Sequence, residues 1–162
     1  MRELIKNMSK KNSFWSYYGK ILIVGVSIWM MLFSTSGNIY AQEPEEESFH
    51  RGKNYFEKQK YEEALIAFDA AIRINSKYAD AYFYRGVVYA DRYKFDEALL
   101  DYTKAIEIDP NLSYVYANRA MVYFLMKKYD KSWEDTHKAV SLGYKVDEKF
   151  LVSLKKASNR EN

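Results

Sequence analysis

A chain of 162 residues with 25 Lys and Arg against 22 Asp and Glu, a formal charge of +3 and 48% hydrophobic residues has the composition of a globular protein with room for one ordinary core. It contains no cysteine, which excludes a disulfide scaffold, a thiolate zinc site, a cysteine nucleophile and lipoprotein acylation. Two prolines and six glycines, beside 16 tyrosines and nine phenylalanines, suit a helical protein packed by aromatics better than a turn-rich β protein.

The charge is uneven along the chain. Residues 1–41 carry Arg2, Lys6, Lys10, Lys11 and Lys20 against Glu3 alone, a net +4, whereas residues 42–162 carry 20 cations and 21 acids, a net −1. The centre of the basic segment, residues 21–33, is uncharged and mostly apolar. As a helix it would be about 20 Å long, short of the roughly 30 Å of a hydrocarbon core, so it predicts a signal peptide rather than a span. The polar, small stretch Ser34–Ala41 ends in Ile39-x-Ala41, which places the cut after Ala41. The alternative is a retained single-pass anchor, with Trp15, Tyr17 and Tyr18 beside Lys20 as an interfacial belt. Either way the chain is expected to be exported, periplasmic or secreted when cleaved, and to meet a membrane only if residues 1–41 are retained. Residues 42–47 (QEPEEE) read as a solvated acidic linker whose last carboxylates favour the positive end of a following helix.

From residue 45 onward the sequence repeats every 34 residues in one register. Arg51, Arg85 and Arg119 share a column, as do Gly52, Gly86 and Ala120; Tyr55, Tyr89 and Tyr123; Tyr61, Phe95 and Tyr129; Ala64, Ala98 and Ser132; Phe68, Tyr102 and Thr136; and Ala71, Ala105 and Ala139. Within each unit the apolar and small positions recur three, four or seven apart, a helical period. Each unit therefore reads as two helices joined by a short turn, at Arg92-Tyr93-Lys94 in the middle copy.

This pattern resembles the tetratricopeptide repeat. The middle unit, residues 79–112, carries it most fully, with Tyr82, Gly86, Tyr89, Ala98, Tyr102, Ala105 and Pro110. Residues 45–78 match at Gly52, Tyr55, Ala64, Phe68 and Ala71, with Ser48 and Ser76 where an aromatic and a proline are usual; residues 113–146 are the loosest, with Ala120, Ser132 and Thr136 in place of Gly, Ala and Phe, though Tyr123 and Ala139 keep the register. The resemblance implies an all-α, right-handed α-solenoid of helical hairpins. The residues agree on physical grounds: Gly86 and Ala98 are small where two helices cross, and Tyr89 and Tyr102 supply buried area between hairpins. A single hairpin cannot bury its apolar face, so neighbours must stack and the last needs a cap. Residues 147–157 read as that capping helix, with Asp147 as N-cap and Val146 and Leu151 at the staple positions, followed by a tail at 158–162.

Arg51, Arg85 and Arg119 stand where the family pattern has Leu. A ladder binding phosphate or nucleic acid is one reading; the other, favoured because guanidinium groups at packed faces need carboxylate partners, pairs them with Asp101 and Asp135. The mature part is near neutral with no basic stripe, so no nucleic-acid partner is expected.

Catalytic material is sparse. His50 and His137 lie in no ligand spacing, and no HExxH, GxGxxG, Walker or GxSxG motif is present. No enzyme, metal or cofactor is therefore expected. The resemblance instead implies a protein–protein interaction module, because the first helix of each family repeat lines a concave groove that takes up peptides. Its groove columns fall on Glu46, Phe49, Lys53, Phe56 and Glu57; on Asp80, Phe83, Val87, Ala90 and Asp91; and on Tyr114, Ala117, Met121, Phe124 and Leu125. Asn118 matches one column of the subfamily that clamps the terminal carboxylate of chaperones, but Phe49 and Lys53 stand at the others, so no such clamp is expected. The groove would take an apolar or aromatic-bearing segment, with Phe49, Phe83, Met121 and Phe124 as anchors and Lys53 and Asp91 at the rim. In the alternative, the strip is covered by the protein's own tail or by a second copy, as in a self-associating or membrane-anchored assembly factor.

Overall fold

The structure is a computed structural model that describes residues 44–159. The signal segment, its cut site and the last residues of the tail lie outside the described residues. Among the described residues there are seven helices and no strand: α1 Glu45–Glu57, α2 Tyr61–Ile74, α3 Ala79–Asp91, α4 Phe95–Ile108, α5 Ser113–Leu125, α6 Tyr129–Ser141 and α7 Glu148–Ser158. α1 pairs with α2, α3 with α4 and α5 with α6; each hairpin packs on the next, and α7 closes on α6. The fold is an all-α solenoid of helical hairpins. Glu45, Glu46 and Glu47, read from sequence partly as linker, form the first turn of α1, where carboxylates meet the positive end of the helix.

No side chain caps the start of α1 to α6, so these helices are held by the burial of one face rather than by local signals. α7 alone has a true cap: the Asp147 carboxylate accepts from the Lys149 and Phe150 amides at 2.6 and 3.3 Å. The turns inside the hairpins share one geometry. Gln59, Tyr93 and Lys127 take left-handed φ values of 57°, 59° and 59°. The amides that follow, of Lys60, Lys94 and Lys128, donate back to the carbonyls of Tyr55, Tyr89 and Tyr123 at 2.9, 2.9 and 2.8 Å. This is the Schellman closure; after α6 the same closure uses Gly143, at φ 86°.

The repeated columns meet at the helix crossings. Ala64, Ala71, Ala98, Ala105, Ser132 and Ala139 are sealed, as are Phe68 and Tyr102. A Cβ on Gly52 would lie 2.5 Å from the Phe68 ring, and one on Gly86 would lie 2.8 Å from the Tyr102 ring. Only glycine therefore admits those aromatics. In the third hairpin the roles reverse: Ala120 supplies the Cβ and Thr136 replaces the ring, both fully buried, while Ser132 Oγ donates to the Ala120 carbonyl at 2.8 Å.

Candidate partner-binding groove

The first helices α1, α3 and α5 carry five columns along the strip the resemblance assigns to the groove. The outer columns are Glu46, Asp80 and Tyr114 at one end of the helices, and Glu57, Asp91 and Leu125 at the other. Between them run Phe49, Phe83 and Ala117; Lys53, Val87 and Met121; and Phe56, Ala90 and Phe124.

Two of the four expected anchors lie deep. Phe49 is only 7% exposed, its ring centroid 5.0 Å from Tyr78 and 5.4 Å from Tyr84. Phe83 is 8% exposed and lies 4.7 Å from Tyr114, edge to face, and 5.1 Å from Tyr84. Both are seam residues, covered by tyrosines from the next first helix or its approach, and are not free side chains. The accessible apolar surface belongs to Phe56, Val87, Ala90, Ala117 and Phe124, which are half-buried, and to the exposed Met121 and Leu125. In the third repeat α7 roofs part of it. Phe150 meets Phe124 edge to face at 5.6 Å, and Ala117, Asn118 and Met121 line a cleft of about 160 Å³ with Tyr144, Val146 and Phe150.

The polar members are largely committed. Lys53 Nζ lies 5.1 Å from the Tyr84 ring centroid and 5.8 Å from that of Phe49, a cation held on two aromatic faces. Asn118 Nδ2 donates 2.8 Å back to the Tyr114 carbonyl on its own helix. The Tyr114 hydroxyl donates to Asp80 across the repeat boundary; burial first, and that hydrogen bond second, push the phenol well above its ordinary value. Glu57 and Asp91 are exposed and form no ion pair among the described residues. Partial burial raises the Asp91 carboxyl above the usual carboxylate range.

Away from the groove, Arg85 and Arg119 of the arginine column are structural. Arg85 donates from Nε and Nη2 to Asp101 at 2.8 and 2.6 Å and from Nη1 to Asp69 at 2.5 Å. Arg119 repeats this with Asp135 at 2.7 and 2.8 Å and with Thr103 Oγ1 at 3.1 Å. Each guanidinium thus ties its own hairpin together and reaches the second helix of the preceding one. Burial pushes the Asp101 carboxyl up, with Arg85 pulling it the other way, and the bond to Asp101 raises the Arg85 guanidinium. The acceptors Asp69 and Thr103 escaped the sequence reading, although they too stand 34 residues apart. His50 and His137 are exposed beside the rings of Phe49 and Trp133, and among the described residues no group of three or more His, Asp or Glu could hold a metal ion.

Paired helices stacked at a fixed period, with an accessible apolar strip along the first helices, define a helical-repeat protein that presents an extended surface. Sequence models described as TPR repeat and tetratricopeptide repeat match residues 52–92, 79–112 and 101–134, which together span just over half of the chain. The chain belongs to the tetratricopeptide repeat family. It is similar to the TPR2B domain of yeast Sti1, solved in a pHsp70 complex, with 29% identity and a TM-score of 0.64 over 72% of this chain and 98% of that one. The Arabidopsis OM64 TPR domain shares the fold at 21% identity and a TM-score of 0.65, over 72% of this chain and 96% of that one. MamA is 27% identical with a TM-score of 0.61, over 65% of this chain and 61% of that one. No curated protein matches the chain.

Proposed function

We propose that this protein is a non-enzymatic interaction module that takes a peptide or helical segment of another protein into the groove of α1, α3 and α5. The observation that carries this is the accessible apolar surface of Phe56, Val87, Ala90, Met121 and Leu125, to which the first helices of all three repeats contribute. The Sti1 domain, solved with pHsp70, supports the reading by likeness. Phe83→Glu would place a charge in a seam and unfold the repeat, so the groove is tested at accessible positions. Val87→Gln with Met121→Gln should abolish capture of a partner while leaving the melting temperature within about two degrees. Capture that survives this change removes the groove from the proposal.

Export is a separate part of the proposal, supported by the +4 segment ahead of the repeats and its uncharged run at 21–33. N-terminal sequencing of the exported protein should find Gln42 first; a chain that begins at Met1 in the membrane fraction makes it an anchored module instead. Self-association is tested by light scattering, where mass that is independent of concentration excludes a second copy as the groove's occupant.

A further inference from the structure

Building on the proposed groove, we propose that it selects a cationic amphipathic segment, which seats an apolar stripe on Phe56 and Val87 and reaches with lysine or arginine to Glu57 and Asp91 on one rim and to Glu46 and Asp80 on the other. The rims are the two ends of the first helices, eleven residues or about 16 Å apart along each, which accommodates a helix of roughly 10 Å diameter lying between them. Across the columns of the first two repeats stand four carboxylates and one cation, and that cation, Lys53, is already held on the Tyr84 and Phe49 rings.

The helix ends give an independent reason. Glu57 and Asp91 are the last residues of α1 and α3, where the helix macrodipole is negative and disfavours a carboxylate, and neither last turn holds a basic residue. The helices that turn away from the groove differ among themselves: α2 has Arg73 in its last turn and α6 has Lys138, whereas α4 has Glu107 and no basic residue there. These two acids lie on one rim in successive repeats and form no ion pair among the described residues; the adjoining C-cap residues are Lys58 and Arg92, the latter tied to Glu62, so both carboxylates stay open to a cation supplied by a partner. Partial desolvation of Asp91 adds to the same imbalance. An acidic segment has no equivalent place. Arg85 and Arg119 are tied to Asp101 and Asp135 between the helices, and Asn118 is turned onto its own backbone.

The test uses two labelled amphipathic peptides of about 18 residues with the same leucine stripe, one with lysine and one with glutamate on its polar face, followed by fluorescence anisotropy. The lysine peptide should bind at least about tenfold more tightly at low salt, and the preference should shrink as salt rises. In Glu57→Gln/Asp91→Asn the preference should fall below about threefold while the melting temperature rises by about a degree or two, because an unfavourable charge leaves each helix end. Glu97→Gln/Glu107→Gln, on the second helix α4, should keep the full preference. Equal affinity for both peptides, lost in Val87→Gln/Met121→Gln, overturns the charge selection and leaves the groove standing. Failure of both peptides to bind overturns both. Full preference in Glu57→Gln/Asp91→Asn, or a fall in its melting temperature, overturns the role of the rim acids.

Discussion

The second and third hairpins build the same helix crossing from opposite sides of one seam. In the second, α3 contributes nothing at Gly86 and α4 fills the gap with the Tyr102 ring, 1% exposed. In the third, α5 contributes the Ala120 methyl and α6 only Thr136, and hydroxyl groups replace the lost apolar area: Ser132 bonds the Ala120 carbonyl and Thr136 bonds that of Ser132 at 2.7 Å. The crossing is thus fixed by combined volume and not by any one residue type. The third hairpin, with less ring area inside, relies more on what covers it, and α7 answers with Phe150 on Phe124 and with Ser158 accepting from Trp133 Nε1 at 3.0 Å.

If the contrast is right, Tyr102→Ala should cost about 4 kcal/mol of unfolding free energy and Thr136→Ala about 1 kcal/mol, measured by urea denaturation. Equal losses would break it. The arginine ladder is common to both hairpins, so Arg119→Ala, which strands the buried Asp135 carboxylate, should cost about 3 kcal/mol, most of it recovered when Asp135→Leu is added to Arg119→Met. Gly86→Ala should cost about 2 kcal/mol by pressing a methyl into the Tyr102 ring, against about 1 kcal/mol for Ala120→Gly, which loosens a helix already able to hold the methyl.

Alkali should also separate the two. Burial raises the Tyr102 phenol above its ordinary value of 10.0, so the folded chain keeps a proton that the unfolded chain releases. The stability this residue supports is complete below about pH 10 and declines above it by about 1.4 kcal/mol per pH unit. Tyr102→Phe should flatten that decline in a series of urea midpoints, and Thr136→Val should leave it unchanged. The smallest effect concerns a feature the hairpins share. Tyr93→Gly and Lys127→Gly should each stabilise by about 1 kcal/mol, since both residues sit at left-handed φ; a loss at either would mean its side chain holds the turn.

The repeat was legible because every structural column is written three times, and the period of 34 residues fixes which residues meet at each crossing. Arg85 with Asp101 and Arg119 with Asp135 followed from the same register, 16 residues apart, by charge alone. Depth was not legible. Helical spacing places Phe49 and Phe83 on the groove face but does not reveal that Tyr78, Tyr84 and Tyr114 fold over their rings. The left-handed turns were hidden for a related reason, since Gln59, Tyr93 and Lys127 hold a conformation that sequence usually marks with glycine. Their common spacing is the one signal that could have exposed them.

Leu154 on α7 bears on how long such an array can grow. It is fully buried, and in register it follows Gly52, Gly86 and Ala120, so α7 takes the place of a fourth first helix. The small residue that lets a second helix cross is replaced by a bulky one, and the arginine column that would stitch a further seam falls on Ser153. Duplication of residues 79–112 would therefore insert a compatible link, whereas a second helix crossing α7 as α4 crosses α3 would first require Leu154 to be made small.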